Sequence, residues 1–504
     1  MKTIDLIRLG LQPSAALAAR IALPSCLKSL TFAINSPPFN AIISPSASPF
    51  TGLKELLITS CGGLTDLPDH IGDSLPGLRK LTIRECPFLF SLPESFASLG
   101  RLETLILYKC GLSSLPSNFG HLPALKLLVL ELYSLSELSP SFCHLTSLEA
   151  LFLSGCTLLR QLPEGFCRLT ALKALCIDEC DCPLPDELGA LANLKALSYF
   201  CYRQPSTASF TELVSLTSLQ MLGRGEKFQV PEAVGEMSNL RELKIYASLV
   251  YTLPMSLFQL TGLQTLVIGQ FYRLLELPSR LDSLVGLKTL ELTHCEQLST
   301  PPAGLPTSLE TLCLGPFKKG SSVVVDISQL SQLRVLKLHG VGATCGPAGS
   351  SRWSCLQQLE QLDLCLEGCS QKLPIPLALV SLPRLRSLRI NAKKIRSLPE
   401  NLAAALPELR QLELSSWTRE ELRGSILQLT SLTSLKIRAP QLRSLPEGMT
   451  SLVRLSKLEL IDCKALQHLP EFLTQLHQLV LQGTSIRDPP ANLVPLFDEL
   501  QLTE

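Results

Sequence analysis

The chain has 504 residues, 46% of them hydrophobic, and 45 Lys plus Arg stand against 44 Asp plus Glu for a net charge of +1. That length supports a large core, while the even charge balance leaves no basic excess to neutralise phosphates and excludes a charge-driven nucleic-acid binder. No apolar run approaches the roughly 20 residues that a membrane-spanning helix needs.

Residues 1–52 form an atypical N-terminal segment with degenerate first repeats. Asp5 and Arg8 interrupt the stretch where a secretory signal needs an unbroken apolar run, so a signal peptide is not expected. The single acid, Asp5, against Lys2, Arg8, Arg20 and Lys28 leaves an organelle transit peptide open, although a repeat signal already at Leu27 argues against removal of the whole segment.

From there one pattern recurs. In residues 102–125, LETLILYKCGLSSLPSNFGHLPAL, Leu102, Leu105 and Leu107 give LxxLxL, Cys110 follows, and Leu112, Leu115-Pro116, Phe119, Leu122 and Leu125 close the unit. Twenty such anchors run from Leu27 to Leu476, Leu219 taken as one of them, with a mean period of about 23.6 residues. A motif this short, with alternating inward and outward positions, reads as a parallel strand rather than a helix. The Leu-Pro pairs, such as Leu92-Pro93 and Leu445-Pro446, are expected to end the turn and place proline at the first position of a short helix. The array is expected over 53–495 with about 23–24 residues per coil, followed by a terminal half-repeat over 496–504.

Eighteen cysteines could suggest a disulfide framework, but Cys61, Cys86, Cys110, Cys156, Cys180, Cys295 and Cys463 occupy one repeat position. There a small apolar thiol is expected to face inward and bond a backbone carbonyl, a structural role. With no Asn-x-Ser/Thr sequon in the chain, a reducing compartment, the cytoplasm, fits best. Three stretches break the period: SYFCYRQPSTASF after Leu194, the coil at Leu219 with Gly223 and Arg224, and the loops at 315–356. These read as drift tolerated in a long array.

Four residues past each anchor lies a position expected on the solvent side of the sheet. From Lys337 it reads Asp363, Arg389, Glu413, Lys436 and Glu459, alternating in sign, which is a self-compensating ladder between neighbouring strands. Earlier in the chain the same position is Leu57, Ile106, Val129, Phe152 and Cys176, with Tyr108, Phe200 and Tyr246 two residues further on. An apolar strip facing water points to a protein contact, so Ile106, Tyr108, Val129, Phe152, Phe200 and Tyr246 are the expected partner-binding residues.

Catalytic and metal sets do not assemble. His339, Cys365 and Asn391 share a column, but Cys365 lies between the other two, and about 9.6 Å of strand spacing keeps Asn391 from orienting the imidazole. Cys176, Cys180 and Cys182 lack a second ligand pair at zinc spacing. GPFKKGSS has Ser321 where a phosphate loop needs lysine. No enzyme, no metal and no cofactor is expected.

The unit LPxxFxxLxxLxxLxLxxCxxLxxLP, seen in LPESFASLGRLETLILYKCGLSSLP and LPEGFCRLTALKALCIDEC, resembles intracellular plant-type leucine-rich repeats, as in the recognition region of nucleotide-binding disease-resistance receptors and in Ras-group scaffolds. The resemblance covers about residues 23–493. It implies an α/β repeat solenoid, a leucine-rich-repeat horseshoe with a parallel sheet on the concave face and short helices or turns on the convex face. Cys at the ladder position and Leu-Pro rather than Ile-Pro separate it from secreted plant repeats. No nucleotide-binding module precedes the repeats in this sequence, so the resemblance implies a scaffold or recognition module for proteins, in intracellular defence signalling, acting through the concave surface. The alternative is a regulatory subunit targeting a GTPase, kinase or ubiquitin ligase. Open solenoid ends invite self-association.

Overall fold

A computed structural model describes residues 3–5, 28–32, 50–201, 208–223, 228–277, 281–300, 302, 304–317, 324–340, 342–344, 353, 355–365, 382–395, 398, 401–417, 420–422, 426–470, 473 and 476–486. Two compact units divide the chain: Met1–Ala247 with Pro254–Leu260, and Ser248–Leu253 with Thr261–Glu504. The terminal half-repeat at 496–504 and most of residues 1–49 lie outside the described residues.

In unit 1, eleven strands pair in chain order, all parallel: β1 Thr3–Asp5, β2 Ser29–Phe32, β3 Glu55–Thr59, β4 Lys80–Arg84, β5 Thr104–Tyr108, β6 Leu127–Glu131, β7 Ala150–Ser154, β8 Ala174–Asp178, β9 Ala196–Cys201, β10 Ser218–Gly223 and β11 Glu242–Ala247. The register is fixed by leucine. Leu105 pairs with Leu128, Leu128 with Leu151, Leu151 with Leu175 and Leu175 with Leu197, and each is at most 2% exposed. A slip of one residue would turn this whole inward set to solvent.

The backbone ties each coil to the one before it. The N–H groups of Glu103 and Thr104 both donate to Arg79 O (2.8 and 2.9 Å), and those of Lys126 and Leu127 both donate to Glu103 O (2.9 and 3.0 Å). The same doubled bond recurs at later coils, so backbone polar groups of one coil are satisfied by its neighbour.

At the ends of β3, β4, β5, β7 and β8 one residue enters the left-handed region: Ser60, Glu85, Lys109 and Glu179 at φ between 51° and 54°, and Gly155 at 61°. The bend turns the next side chain inward. That next residue is the repeat cysteine, and Cys86 Sγ lies 3.3 Å from Arg84 O while Cys110 Sγ lies 3.6 Å from both Ile83 O and Tyr108 O. Cys61, Cys156, Cys180, Cys295 and Cys463 likewise donate to carbonyls at 3.3 to 3.8 Å. Burial pushes the Cys295 thiol up to about 12, so at neutral pH it is a protonated donor.

On the side away from the sheet the chain returns mostly through 3-10 turns such as Glu94–Ser98 and Pro140–His144, with single α-helical turns at Ile71–Ser74 and Ala208–Thr211. The proline of the Leu-Pro pair sits one residue earlier than the sequence suggested. Pro93 is extended (φ −69°, ψ 154°) and caps the turn, and its carbonyl accepts the Phe96 N–H at 2.9 Å. With no N–H of its own and a fixed φ, proline suits this entry position. The phenylalanines that follow stack in a column: Phe96 and Phe119 have centroids 6.2 Å apart, Phe119 and Phe142 6.3 Å, with planes within 11°. All three are fully buried.

One coil corrects the sequence reading. Leu219 pairs with Leu197 and Leu243, the second leucine of their motifs, so the anchor of that coil is Leu216 and the strand is regular. Gly223 is a working strand residue: a Cβ there would meet the Phe228 ring at 2.2 Å, and Phe228 is 1% exposed. Arg224 lies outside the described residues, as does the stretch from Tyr202 to Thr207.

Unit 2 repeats the scheme with β12 Thr265–Gly269, β13 Thr289–Thr293, β14 Thr311–Leu314, β16 Val335–His339, β18 Gln361–Cys365, β19 Ser387–Ile395, β20 Gln411–Trp417, β21 Ser434–Arg438, β22 Lys457–Ile461 and β23 Gln478–Gln482, paired in that order and parallel. The irregular loops at 315–356 contain two further strands, β15 Val324–Asp326 and β17 Gly342–Thr344, which pair with each other in a separate parallel sheet. Part of that stretch is therefore an ordered side element rather than drift.

The stacked phenylalanines give a direct test. Phe119→Ala, which removes the middle ring of the column, is expected to lower stability by about 3–5 kcal/mol; a urea unfolding midpoint close to wild type would contradict the packing.

Candidate functional site

Residues four past the anchor point out of the sheet, and their character differs between the units. In unit 1, Ile106, Val129 and Phe152 are register partners on β5, β6 and β7. Ile106 and Val129 are half-buried, and Phe152 is 38% exposed. Leu57 and Cys176 belong to the same row and are half-buried, whereas Thr82 between them is 8% exposed. Nothing about folding requires apolar side chains here, because the inward row already supplies the core.

Two residues further along, Tyr108 and Tyr246 are half-buried. Tyr108 carries cations on its ring, with the Arg84 guanidinium 5.2 Å and the Lys109 ammonium 4.9 Å from its centroid. Phe200 does not join the accessible strip: it aligns with Leu222, but it is only 5% exposed. Counting from the anchor gave its row correctly and its coverage wrongly. Tyr199 beside it faces inward at 1% exposure.

Sequence reasoning passed over a second group of apolar side chains. Phe88 (52% exposed), Phe90 (56%), Tyr133 (48%) and Leu158 (50%) lie in the turns after the strand ends. Phe88 and Phe90 meet edge to face at 6.3 Å, and the Tyr133 ring lies 2.9 Å from where a Cβ on Gly155 would be. Their signal was the large residue one to four places after the inward cysteine position.

In unit 2 the outward row is ionic from β16 to β22, while on β12 and β14 it holds Val267 and Cys313, both buried. Arg389 lies 3.5 Å from Asp363 and 2.7 Å from Glu413, and Lys436 lies 3.8 Å from Glu413 and 3.5 Å from Glu459. Arg389 is 51% exposed and Lys436 38%, so solvent screens these pairs to about 0–1 kcal/mol each. Asp363 differs, being only 6% exposed, with its Oδ1 lacking a hydrogen-bond partner. A second ladder, missed in the sequence, runs just past the anchors. Arg334 meets Glu360 at 2.6 Å, Arg386 meets Glu360 at 3.6 Å and Glu408 at 3.4 Å, and Lys288 meets Glu310 at 3.1 Å. A cavity of about 330 Å³ opens among Glu310, Arg334, Glu360 and Arg386. The Arg334 guanidinium holds the Glu360 carboxyl below the usual carboxylate range.

His339, Cys365 and Asn391 are register partners in that order. Asn391 Nδ2 lies 3.6 Å from Cys365 Sγ, and the carboxylate facing His339 is Asp363, at 3.8 Å. Asp363 is also committed to Arg389. Cys176 points out of the sheet while Cys180 and Cys182 are buried, at 1% and 6%. Among the described residues, no group of three His, Cys, Asp or Glu is placed to hold a metal ion.

Comparison with known proteins supports this architecture. A profile described as a leucine-rich repeat region matches residues 117–232. The fold is a leucine-rich-repeat solenoid. The structure of the TLR13–ssRNA13 complex is similar at a TM-score of 0.58 and 19% identity, over 90% of this chain and 69% of that one. A Leptospira interrogans leucine-rich-repeat protein (TM-score 0.38, 20% identity, 97% and 95% of the two chains) is also similar. So is the Arabidopsis receptor kinase HAESA, in complex with the peptide hormone IDA and the co-receptor SERK1 (0.44, 20%, 99% and 82%). No curated protein sequence matches. Among the described residues, no helix is long and apolar enough to cross a membrane.

The buried carboxylate of the leucine-rich-repeat ladder in unit 2 sets a second test. Arg389→Met strands Asp363 and is expected to lower stability by about 1–3 kcal/mol, while adding Asp363→Asn restores most of the loss. A double variant as unstable as the single one would show that the pair is not what matters there.

Proposed function

We propose that this chain is a non-catalytic protein-binding module that engages its partner through the outward face of the unit 1 sheet. The observation that carries the reading is the accessible row of Ile106, Val129 and Phe152 at a position that is charged from β16 to β22 in unit 2. Apolar side chains held at the surface by a rigid sheet favour association with another apolar surface. Tyr108 and Tyr246 extend the contact.

The solved relatives carry ligands of different kinds, an RNA in the TLR13 complex and a peptide hormone and co-receptor in the HAESA complex. For this chain the even balance of 45 basic and 44 acidic residues favours a protein over a nucleic acid. A cytoplasmic setting is supported by the repeat cysteines, which are free thiols within hydrogen-bond reach of backbone carbonyls, an arrangement that oxidation would remove. A place in intracellular defence signalling rests on the resemblance of the repeat unit to plant disease-resistance receptors.

The test uses the purified chain as bait beside Ile106→Ser/Val129→Ser/Phe152→Ser, with circular dichroism confirming that both fold. Partners retained by the wild type are expected to be lost from the variant; an identical retained set overturns the assignment of this face.

A further inference from the structure

The repeat cysteines of unit 1 are gathered more closely than the fold requires. Cys61, Cys86 and Cys110 fall in three consecutive coils and Cys156 and Cys180 in two, whereas Cys295 and Cys463 have no cysteine at that place in either neighbouring coil. Leu132 takes the same place between Cys110 and Cys156 and is fully buried, so the fold accepts a hydrocarbon there as well as a thiol. Packing therefore does not explain three thiols in a row.

Members of the first row touch one another. The Ser60 N–H donates to Arg84 O at 2.9 Å and the Gly111 N–H to Cys86 O at 3.3 Å, so neighbouring cysteines stand one strand spacing apart on the same inward side. The Cys86 thiol hydrogen-bonds the thiols of both Cys110 and Cys61. Those two bonds hold Cys86 below the usual thiol range, because each neighbour can donate S–H to a central thiolate. Its loss of a proton strands no carbonyl, since Arg84 O, which Cys86 Sγ approaches at 3.3 Å, keeps the Ser60 N–H. Exposure changes along the row: Cys61 is half-buried, while Cys86 is 0% and Cys110 4% exposed. One end of the row thus reaches solvent.

We propose that Cys61 and Cys86 form a two-coordinate site for a soft monovalent metal ion of the copper(I) class. Thiolate sulfur selects soft ions over the harder ones that carboxylate and imidazole donors take. No group of three His, Cys, Asp or Glu is placed to hold a metal among the described residues, but a linear site needs only two ligands. Sulfurs one strand spacing of about 4.8 Å apart leave an ion midway at about 2.4 Å from each, an ordinary metal–thiolate bond length. Two thiols and one M+ give a bis-thiolate S–M–S complex with one negative charge, and two protons pass to solvent; no atom changes oxidation state. The charge lies at the end of the row that reaches solvent, which limits its desolvation cost. Cys110 remains a thiol and donates to the Cys86 sulfur from behind. This site is independent of the proposed protein-binding face.

The test uses residues 1–504, reduced and in chloride-free buffer, with Ag+ as the probe, a soft ion that favours linear thiolate complexes and does not oxidise thiols through air. After excess glutathione and desalting, the wild type is expected to retain one silver ion more than Cys61→Ser and one more than Cys86→Ser. Cys110→Ser and Cys295→Ser are expected to retain as much as the wild type, and circular dichroism verifies that each variant folds. Iodoacetamide labelling of the wild type needs no variant: bound Ag+ is expected to slow alkylation of Cys61 at least about tenfold, because the coordinated sulfur is no longer a free nucleophile. If Cys86→Ser does not fold, Cys61→Ser and the labelling rate decide the matter. Equal silver retention by the wild type and Cys61→Ser, or an unchanged labelling rate, would overturn the site. Silver lost from Cys110→Ser but not from Cys61→Ser would place the ion deeper in the row and also overturn the assignment.

Discussion

Every coil of this protein depends on its neighbour for backbone hydrogen bonds. A carbonyl just past the anchor leucine, such as Arg79 O or Glu103 O, accepts two N–H groups from the next coil, and the strand that follows pairs in parallel with that coil over its full length. A single coil would leave these groups to water and one leucine face exposed, so no coil is stable alone. The inward leucines, the left-handed residue at the strand end, the thiol that bonds a carbonyl and the phenylalanine column all follow from the need to repeat one geometry without interruption.

That constraint acts only on half of the side chains. Outward positions on the strands are released from it, and the two units use them differently. In unit 2 the outward row from β16 to β22 is filled by ions of alternating sign, which satisfy one another and discourage slippage of register. In unit 1 the corresponding row is apolar between β5 and β7 and opens onto alanines between β7 and β9. A sheet that already has a core on its inner side gains nothing in folding from that second apolar face, which is why the face is read as a surface for another molecule.

The inward half of the structure was legible from the sequence because it is periodic: a leucine at a fixed place either fits the register or breaks it. The exception was Leu219, where LVSLTSLQML offers several leucines at three-residue spacing, and only pairing with Leu197 and Leu243 decides which is the anchor. The outward half was legible as to row and not as to coverage. Phe200 falls on the expected row but is covered, at 5% exposed, and a position in the period says nothing of coverage. The ladder of Arg334, Glu360 and Arg386 escaped notice because its side chains leave the sheet one residue past the anchor, off the alternating pattern that draws the eye to strands. The turns after the cysteine repeat a buried leucine, but their exposed aromatic residues Phe88, Phe90 and Tyr133 recur at no fixed place.

The account stands on the claim that inward residues hold the fold while the apolar outward row of unit 1 does not. Equilibrium urea unfolding of Ile106→Thr/Val129→Thr/Phe152→Thr beside the single inward variant Leu128→Ala tests it directly. Leu128 is fully buried, and its truncation is expected to cost about 2–5 kcal/mol. The account predicts that the triple outward variant loses less stability than this single inward one; a triple variant that loses more would show that the strip is part of the core, and the binding face would have to be sought elsewhere.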